Sequence, residues 1–295
     1  MTAFRLDRAL SLARFPRSLQ PRQQFRIPIL MYHSIRDEVE KGHPYFQTST
    51  SPEVFEQHLQ FLREQGYVGV YAEDVVRALG DESDQRRVVA ITFDDGYKDF
   101  YTNAFPLIKK YQFNATLFVV SAFVGGRCRH RQREEEFMTW QEIREVCEHG
   151  VQIGSHTVTH RDLYCTDWRT LGHEVCFSKG TIESEIGQRV RSFAYPYAFP
   201  ETDKDFGQRL ANLLERSGYE NGVCTAIGRA CRKHSRFFLP RLPINSHDDL
   251  SLFRAKLDGH YDWLHTPQYA YKALKTLLAR LTRLEHGSSS ALPVA

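Results

Sequence analysis

The stretch VVAITFDDG, residues 88–96, decides the architecture. Residues dominated by Val, Ile and Phe run without a break into two aspartates and a glycine. A run this short and apolar, stopped by turn chemistry, reads as a buried strand. Runs of the same kind recur at 27–31, 67–71, 115–120, 151–153, 190–194, 223–227 and 237–239. Amphipathic stretches separate them. In SPEVFEQHLQFLREQG, Ser51 caps, Pro52 suits the first helical position, Phe55, Leu59 and Leu62 share a face, and Gly66 ends the helix. In TWQEIREVCEHG, Thr139 and Glu142 make a capping box and Gly150 a stop. Further helices are expected over 99–111, 166–186, 203–217, 248–258 and 261–284. Alternating buried strands and helices imply a parallel sheet covered by helices, and seven or eight such units favour a closed barrel over an open sheet.

The rest of the chain bounds this reading. It has 295 residues, 41% hydrophobic, 25% charged and 13% aromatic, a globular composition that one α/β barrel can use up. Lys+Arg 39 against Asp+Glu 36 leaves a formal charge of +3, too little for a dedicated nucleic-acid binder. No apolar run reaches the ~18 residues of a membrane span. Cys128, Cys147, Cys165, Cys176, Cys224 and Cys231 form no C-x-x-C pair, and a chain this long needs no disulfides, so reduced thiols in a cytoplasmic protein are expected. Residues 1–22 form an N-terminal extension. Its arginines interrupt any secretory core, yet Phe4, Leu10 and Leu12 among them allow a weak interfacial helix and peripheral membrane contact. The barrel is expected over 23–265, a C-terminal helix over 266–284 and a disordered tail over 285–295, EHGSSSALPVA.

Polar clusters follow several of the strands: Tyr32-His33-Ser34, Asp94-Asp95-Gly96, His156 to His160, and Tyr195-Pro196-Tyr197. In a parallel barrel the strand C-termini share one face, where catalytic residues collect. Asp-Asp-Gly is good turn chemistry by itself. As a turn alone, however, it leaves adjacent carboxylates at the edge of an apolar run, where one would take up a proton unless a cation stood nearby. A bound metal resolves this: one Asp ligates it and the other stays ionised as a general base. His156 and His160 either lie on the surface or, with the segment turned, meet one cation; with Asp95 they would supply three ligands and leave an open position, the pattern of a catalytic zinc site. His33 is either a satisfied strand-end histidine or the acid that protonates a leaving amine. The backbone N–H of Tyr197 could help hold an oxyanion, with Tyr195 and Pro196 shaping that strand end.

T-F-D-D-G at Thr92 to Gly96, S-H-T-V-T-H at Ser155 to His160 and F-A-Y-P-Y at Phe193 to Tyr197 together resemble the polysaccharide deacetylase (NodB-homology) family of metal-dependent carbohydrate esterases. The resemblance runs from L-M-Y-H at Leu30 to His33 through Tyr197. It implies a distorted (β/α)7-type barrel, single-domain and α/β, that removes acetyl groups from N-acetylhexosamine units. It also implies Asp94 as base, Asp95, His156 and His160 as ligands of zinc (cobalt or nickel the alternatives), and an acetylated polysaccharide or lipid-linked oligosaccharide as partner. L-M-Y-H-S-I resembles the branch acting on poly-N-acetylglucosamine, in which His33 would be the acid. Two departures stand out. Ala194 and Ala198 fall where many relatives carry the arginine and glycine of R-x-P-Y-G. Arg241 in L-P-R-L-P is the candidate replacement for that base-orienting arginine. His247 in N-S-H-D-D rivals His33, with Ser246 expected as a helix cap and Asp248 and Asp249 in the first turn. Residues 125–136, GGRCRHRQREEE, read as a solvated loop or a groove wall. An O-acetyl esterase or amidase, a non-catalytic carbohydrate-binding barrel and a metal-dependent phosphoesterase are the alternatives. A polymer that is secreted fits a cytoplasmic enzyme if deacetylation occurs on a lipid-linked glycan at the inner face of the membrane.

Overall fold

A computed structural model describes residues 5–13, 25–37, 42–81, 86–130 and 133–274. Eight parallel strands form one sheet: β1 (Ile29–Tyr32), β2 (Tyr67–Val70), β3 (Arg87–Phe93), β4 (Ala115–Val119), β5 (Val151–Ser155), β6 (Ser192–Ala194), β7 (Asn221–Ile227) and β8 (Leu239–Pro243). Seven of them close a ring in the order β1-β8-β7-β6-β5-β4-β3, sealed by pairing of β1 with β3. Strand β3 is forked: Arg87 to Ala90 pair with β2, and Ala90 to Phe93 pair with β1. The expected closed barrel with surrounding helices is therefore present as a seven-strand ring.

Strand residues alternate between two apolar layers, as the period of 2 requires. One cluster includes Ile29, Val88, Ala90, Phe118, Ala194, Val223 and Leu239 and fills the ring. The other includes Leu30, Tyr32, Val89, Ile91, Phe93, Leu117, Ile153, Phe193 and Tyr195 and packs under the helices. Seven strands leave a narrow interior, so small residues share it with one large ring. A Cβ added to Gly154 would lie 2.3 Å from the Phe118 ring, so Gly154 is the space into which Phe118 packs.

The helices obey the local signals. Helix Pro52–Glu64 starts with Ser51 accepting from the Val54 N–H at 3.3 Å, and Thr139 and Glu142 form the capping box of Trp140–Glu148. The eighth strand differs from expectation. It spans Leu239–Pro243 rather than 237–239, because Pro240 and Pro243 read as breakers although the ring needs few ladder bonds from them. Ser246 does not cap the helix that follows. Asp249 does, accepting from the Leu252 N–H at 2.9 Å, while the Ser246 hydroxyl accepts from Ser51 N–H at 2.8 Å. Within 125–136 the chain forms a two-stranded antiparallel ribbon, Arg127–His130 with Arg133–Glu136, tied back by Arg36 to the buried Glu135 through paired 2.7 Å bonds. In the extension, helix Leu6–Leu12 packs against Leu250–Leu257, burying Asp7 and Ser11. Helical structure continues over 265–274. Phe4, the rest of the 266–284 helix and the 285–295 tail lie outside the described residues. Among the described residues, no helix is long and apolar enough to cross a membrane.

Candidate active site

The C-terminal ends of β1, β3, β5 and β8 converge on one recess. Inward parity puts His33, Asp94, His156 and Arg241 there. Asp94 continues the β1–β3 ladder, its N–H donating to Tyr32 O at 3.0 Å, which sets its side chain beside His33. Asp95 then turns inward because the chain leaves the strand in the left-handed region, with φ +74° at Asp95 and +79° at Gly96. His156 follows β5, and a tight loop brings His160 back to it, their ring centroids 4.8 Å apart.

All five acid–base and ligand candidates are buried: His33 is 7% exposed, Asp94 2%, Asp95 0%, His156 1% and His160 3%. His33 Nε2 lies 3.9 Å from Asp94 Oδ2, and His156 Nε2 lies 4.0 Å from the same oxygen. Arg241, wholly buried, donates to both Asp94 oxygens at 2.7 Å, and also to Cys224 O and Thr92 Oγ1 at 3.2 Å. Burial alone would push the Asp94 carboxyl up; the Arg241 guanidinium, with the His156 and His33 imidazoles, outweighs it and holds the group at about 2. Asp94 is thus an anion of fixed orientation at any working pH.

The donor set fits a divalent ion. His156 Nδ1 lies 2.8 Å from the Ala194 carbonyl, which can only accept, so Nδ1 donates there and Nε2 faces Asp94 and Asp95. Asp95 Oδ1 is 3.5 Å from His156 Nε2 and 3.3 Å from His160 Nε2. A tetrahedral ion with bonds of about 2.0–2.2 Å spaces its N and O ligands about 3.3–3.6 Å apart. The three ligand atoms lie within 4.8 Å of one another, and this is the cluster of potential metal ligands found among the described residues.

The remaining candidates separate. Tyr197 sits on the rim, 48% exposed, in the left-handed region at φ +56°, its ring 4.6 Å from that of His160. Tyr195 is fully buried against Phe199 at 5.1 Å in the layer under the helices, because it follows the inward Ala194 and so points outward. Its side chain does not line the recess, and Pro196 beside it is buried. Arg241 touches the carboxylate of Asp94 and sits beneath the floor of the recess, where an orienting cation belongs. His247 is exposed and its Nε2 lies 2.8 Å from Gln47 Oε1. One contributor escaped sequence reasoning. Asp99 accepts from Ser34 Oγ and, at 3.1 Å, from Ile35 N–H, and so fixes the backbone just after His33. Burial raises its pKa.

A sequence model described as polysaccharide deacetylase matches residues 81–221, which include both aspartates and both ligand histidines but neither His33 nor Arg241. YxkH of Bacillus subtilis (strain 168) is 29% identical over 235 residues, covering 79% of this chain and 77% of that one. The poly-beta-1,6-N-acetyl-D-glucosamine N-deacetylase of Escherichia coli (strain K12) is 30% identical over 137 residues, covering 43% of this chain and 20% of that one. Among solved structures, the Streptococcus pyogenes deacetylase PplD in complex with acetate aligns with a TM-score of 0.65 at 27% identity, covering 80% of this chain and 99% of that chain. The closed seven-strand ring, the motif residues gathered at one end of it and these matches make the chain similar to polysaccharide deacetylases in fold and in sequence.

Proposed function

We propose that the chain is a metal-dependent hydrolase that removes the acetyl group from N-acetylhexosamine units of a polysaccharide or lipid-linked glycan. The observation that carries this reading is the convergence of Asp95, His156 and His160 within 4.8 Å, with Asp94 and His33 beside them. Asp95, His156 and His160 would hold the ion, zinc suiting two imidazoles and a carboxylate, with cobalt or nickel as substitutes. When bound, the ion supplies Lewis-acid polarisation of the acetyl carbonyl.

The chain's own groups do the rest. Asp94, held by Arg241 as an oriented anion, accepts the proton of the attacking water. Its basicity is low while Arg241 is bound to it, so its first contribution is orientation, and proton transfer is driven by the charge developing on the oxygen. His33, on the far side of Asp94 Oδ2, donates a proton to the departing amine, which is otherwise a poor leaving group. The Tyr197 N–H, on the rim, faces the developing oxyanion. The burial of His33, Asp94, Asp95, His156 and His160 shields these groups from bulk water.

The relatives named as poly-beta-1,6-N-acetyl-D-glucosamine N-deacetylases in Escherichia coli and Staphylococcus aureus support a β-linked N-acetylglucosamine polymer as the first substrate to try. Action at the inner face of the membrane, on a glycan before export, is part of the proposal and is checked by cell fractionation. The deciding experiment measures acetate release from N-acetylglucosamine oligomers with chelator and after zinc is restored. Release that chelation stops and zinc restores supports the reading. Release only from O-acetylated sugars moves the activity to an esterase, and none from any acetylated saccharide removes the enzyme.

A further inference from the structure

We propose that Glu174 is a positioning residue for the ion site, locking the loop that carries His160 back to Asp95; this rests on the metal-binding reading above. Residues 157–160 must reverse within one short turn. They do so with left-handed backbone at two side-chain-bearing residues, Thr157 at φ +71° and His160 at φ +55°. Such conformations persist only where surrounding contacts over-determine them.

Those contacts come from both sides of the loop. Its carbonyls are taken by the segment after β4: Ser121 N–H donates to Thr157 O at 3.1 Å and Ala122 N–H to Val158 O at 2.9 Å. Thr157 Oγ1 accepts from His160 N–H at 3.0 Å. The N–H groups of Val158 and Thr159 go to one carboxylate. Glu174, 2% exposed on helix Trp168–Ile186, accepts from Val158 N–H and Thr159 N–H at 2.8 Å through Oε2 and from Thr159 Oγ1 at 2.6 Å through Oε1. Arg161 Nε stands 3.8 Å from Oε1. A buried carboxylate that takes three donors from two consecutive turn residues fixes the loop without touching the ion or the substrate. It acts through His160.

An isosteric amide removes the charge that strengthens these bonds and so weakens them. Glu174→Gln keeps the volume but turns one accepting oxygen into a donor, so either the paired N–H groups or the hydroxyl faces an NH2. Changes beyond the ligands themselves cost roughly 10- to 100-fold in metal affinity. The test titrates zinc against a chromophoric chelator, records the visible spectrum with cobalt, and follows thermal unfolding of the full chain with and without ion. We expect the zinc dissociation constant of Glu174→Gln to rise at least about 10-fold, the cobalt spectrum to change, and the ion-induced gain in Tm to shrink while the ion-free Tm moves little. An unchanged dissociation constant and cobalt spectrum, with any loss confined to the ion-free Tm, overturns the proposal. Should that variant not fold, Thr159→Val deletes, from an exposed position, the hydroxyl bond to Glu174 and the weaker 3.3 Å bond from Arg161 Nε. A rise of about 5-fold, one hydrogen bond's worth, supports the proposal, and no rise overturns it. A wild-type chain that binds neither zinc nor cobalt refutes the ion site itself, a different failure.

Discussion

Two buried polar clusters flank Tyr32, and they are built on opposite rules. On one side lie His33, Asp94, Asp95, His156, His160 and Arg241. On the other lie His58, Asp248, Lys256, Arg5, Asp7 and Tyr261. In the second, groups close on one another: Lys256 Nζ is 2.7 Å from Asp248 Oδ2, Tyr261 OH donates to Asp7 Oδ2 at 2.8 Å, and His58 bridges Asp248 O at 2.7 Å and Tyr32 OH at 3.1 Å. In the first, Arg241 closes on Asp94. Asp95 Oδ1 stands 3.5 Å from His156 Nε2 and 3.3 Å from His160 Nε2, a spacing that suits ligands around a shared ion. Burial does not distinguish the clusters; spacing does. One cluster is finished by its own side chains; under the proposed function the other is finished by an ion.

The sharpest way to break the contrast is Asp94→Asn. Acetate release should fall by about 10²–10⁴-fold with zinc content retained, while Tm falls because buried Arg241 loses its anion; retained turnover would remove Asp94 as base. Asp248→Ala should act on stability alone. It leaves the buried Lys256 cation without its carboxylate and Arg5 with Asp7 alone, costing about 3–5 kcal/mol in denaturant unfolding while the zinc dissociation constant stays put. A third test uses pH. Burial holds the His58 imidazole at about 4, below its unfolded value of 6.5. As pH falls below 6.5 the unfolded chain takes up the proton first, so the stability present in full above 6.5 is lost toward 4 by up to about 1.4 kcal/mol per pH unit. Unfolding midpoints between pH 7 and 4.5 should show this slope, and His58→Gln should flatten it. The smallest effect is expected at the edge of the same cluster. Arg8 and Asp249 pair across an exposed surface, so Arg8→Ala should change stability by less than about 1 kcal/mol.

Much of the ring and the recess was legible because both are written in short range. Strand periodicity marked seven of eight strands closely, and the polar residues ending β1, β3 and β5 pointed to one face. The same period also holds information that motif reading passed over. Counting by twos from Ala194 sends Tyr195 outward, and counting from Leu239 sends Arg241 inward to Asp94. The rest depends on contacts with no local signature. Glu174 reads as an ordinary helical charge unless its place three residues after the buried Leu171 is noticed. The second cluster joins Arg5 and Asp7 to Asp248 and Tyr261 across nearly the whole chain, which no periodicity reports. Prolines in β8 signalled a break because their missing N–H groups matter in most strands but less where the neighbours supply the donors.

Strand β3 carries a further consequence. Its second half seals the ring against β1, and the residues immediately beyond that seam are His33 and Asp94. Closing the cylinder and bringing those two groups together are therefore one event. A chain arrested before that seam forms would lack the pair however well its helices had formed, so hydrolysis during refolding should not appear before β1 pairs with β3.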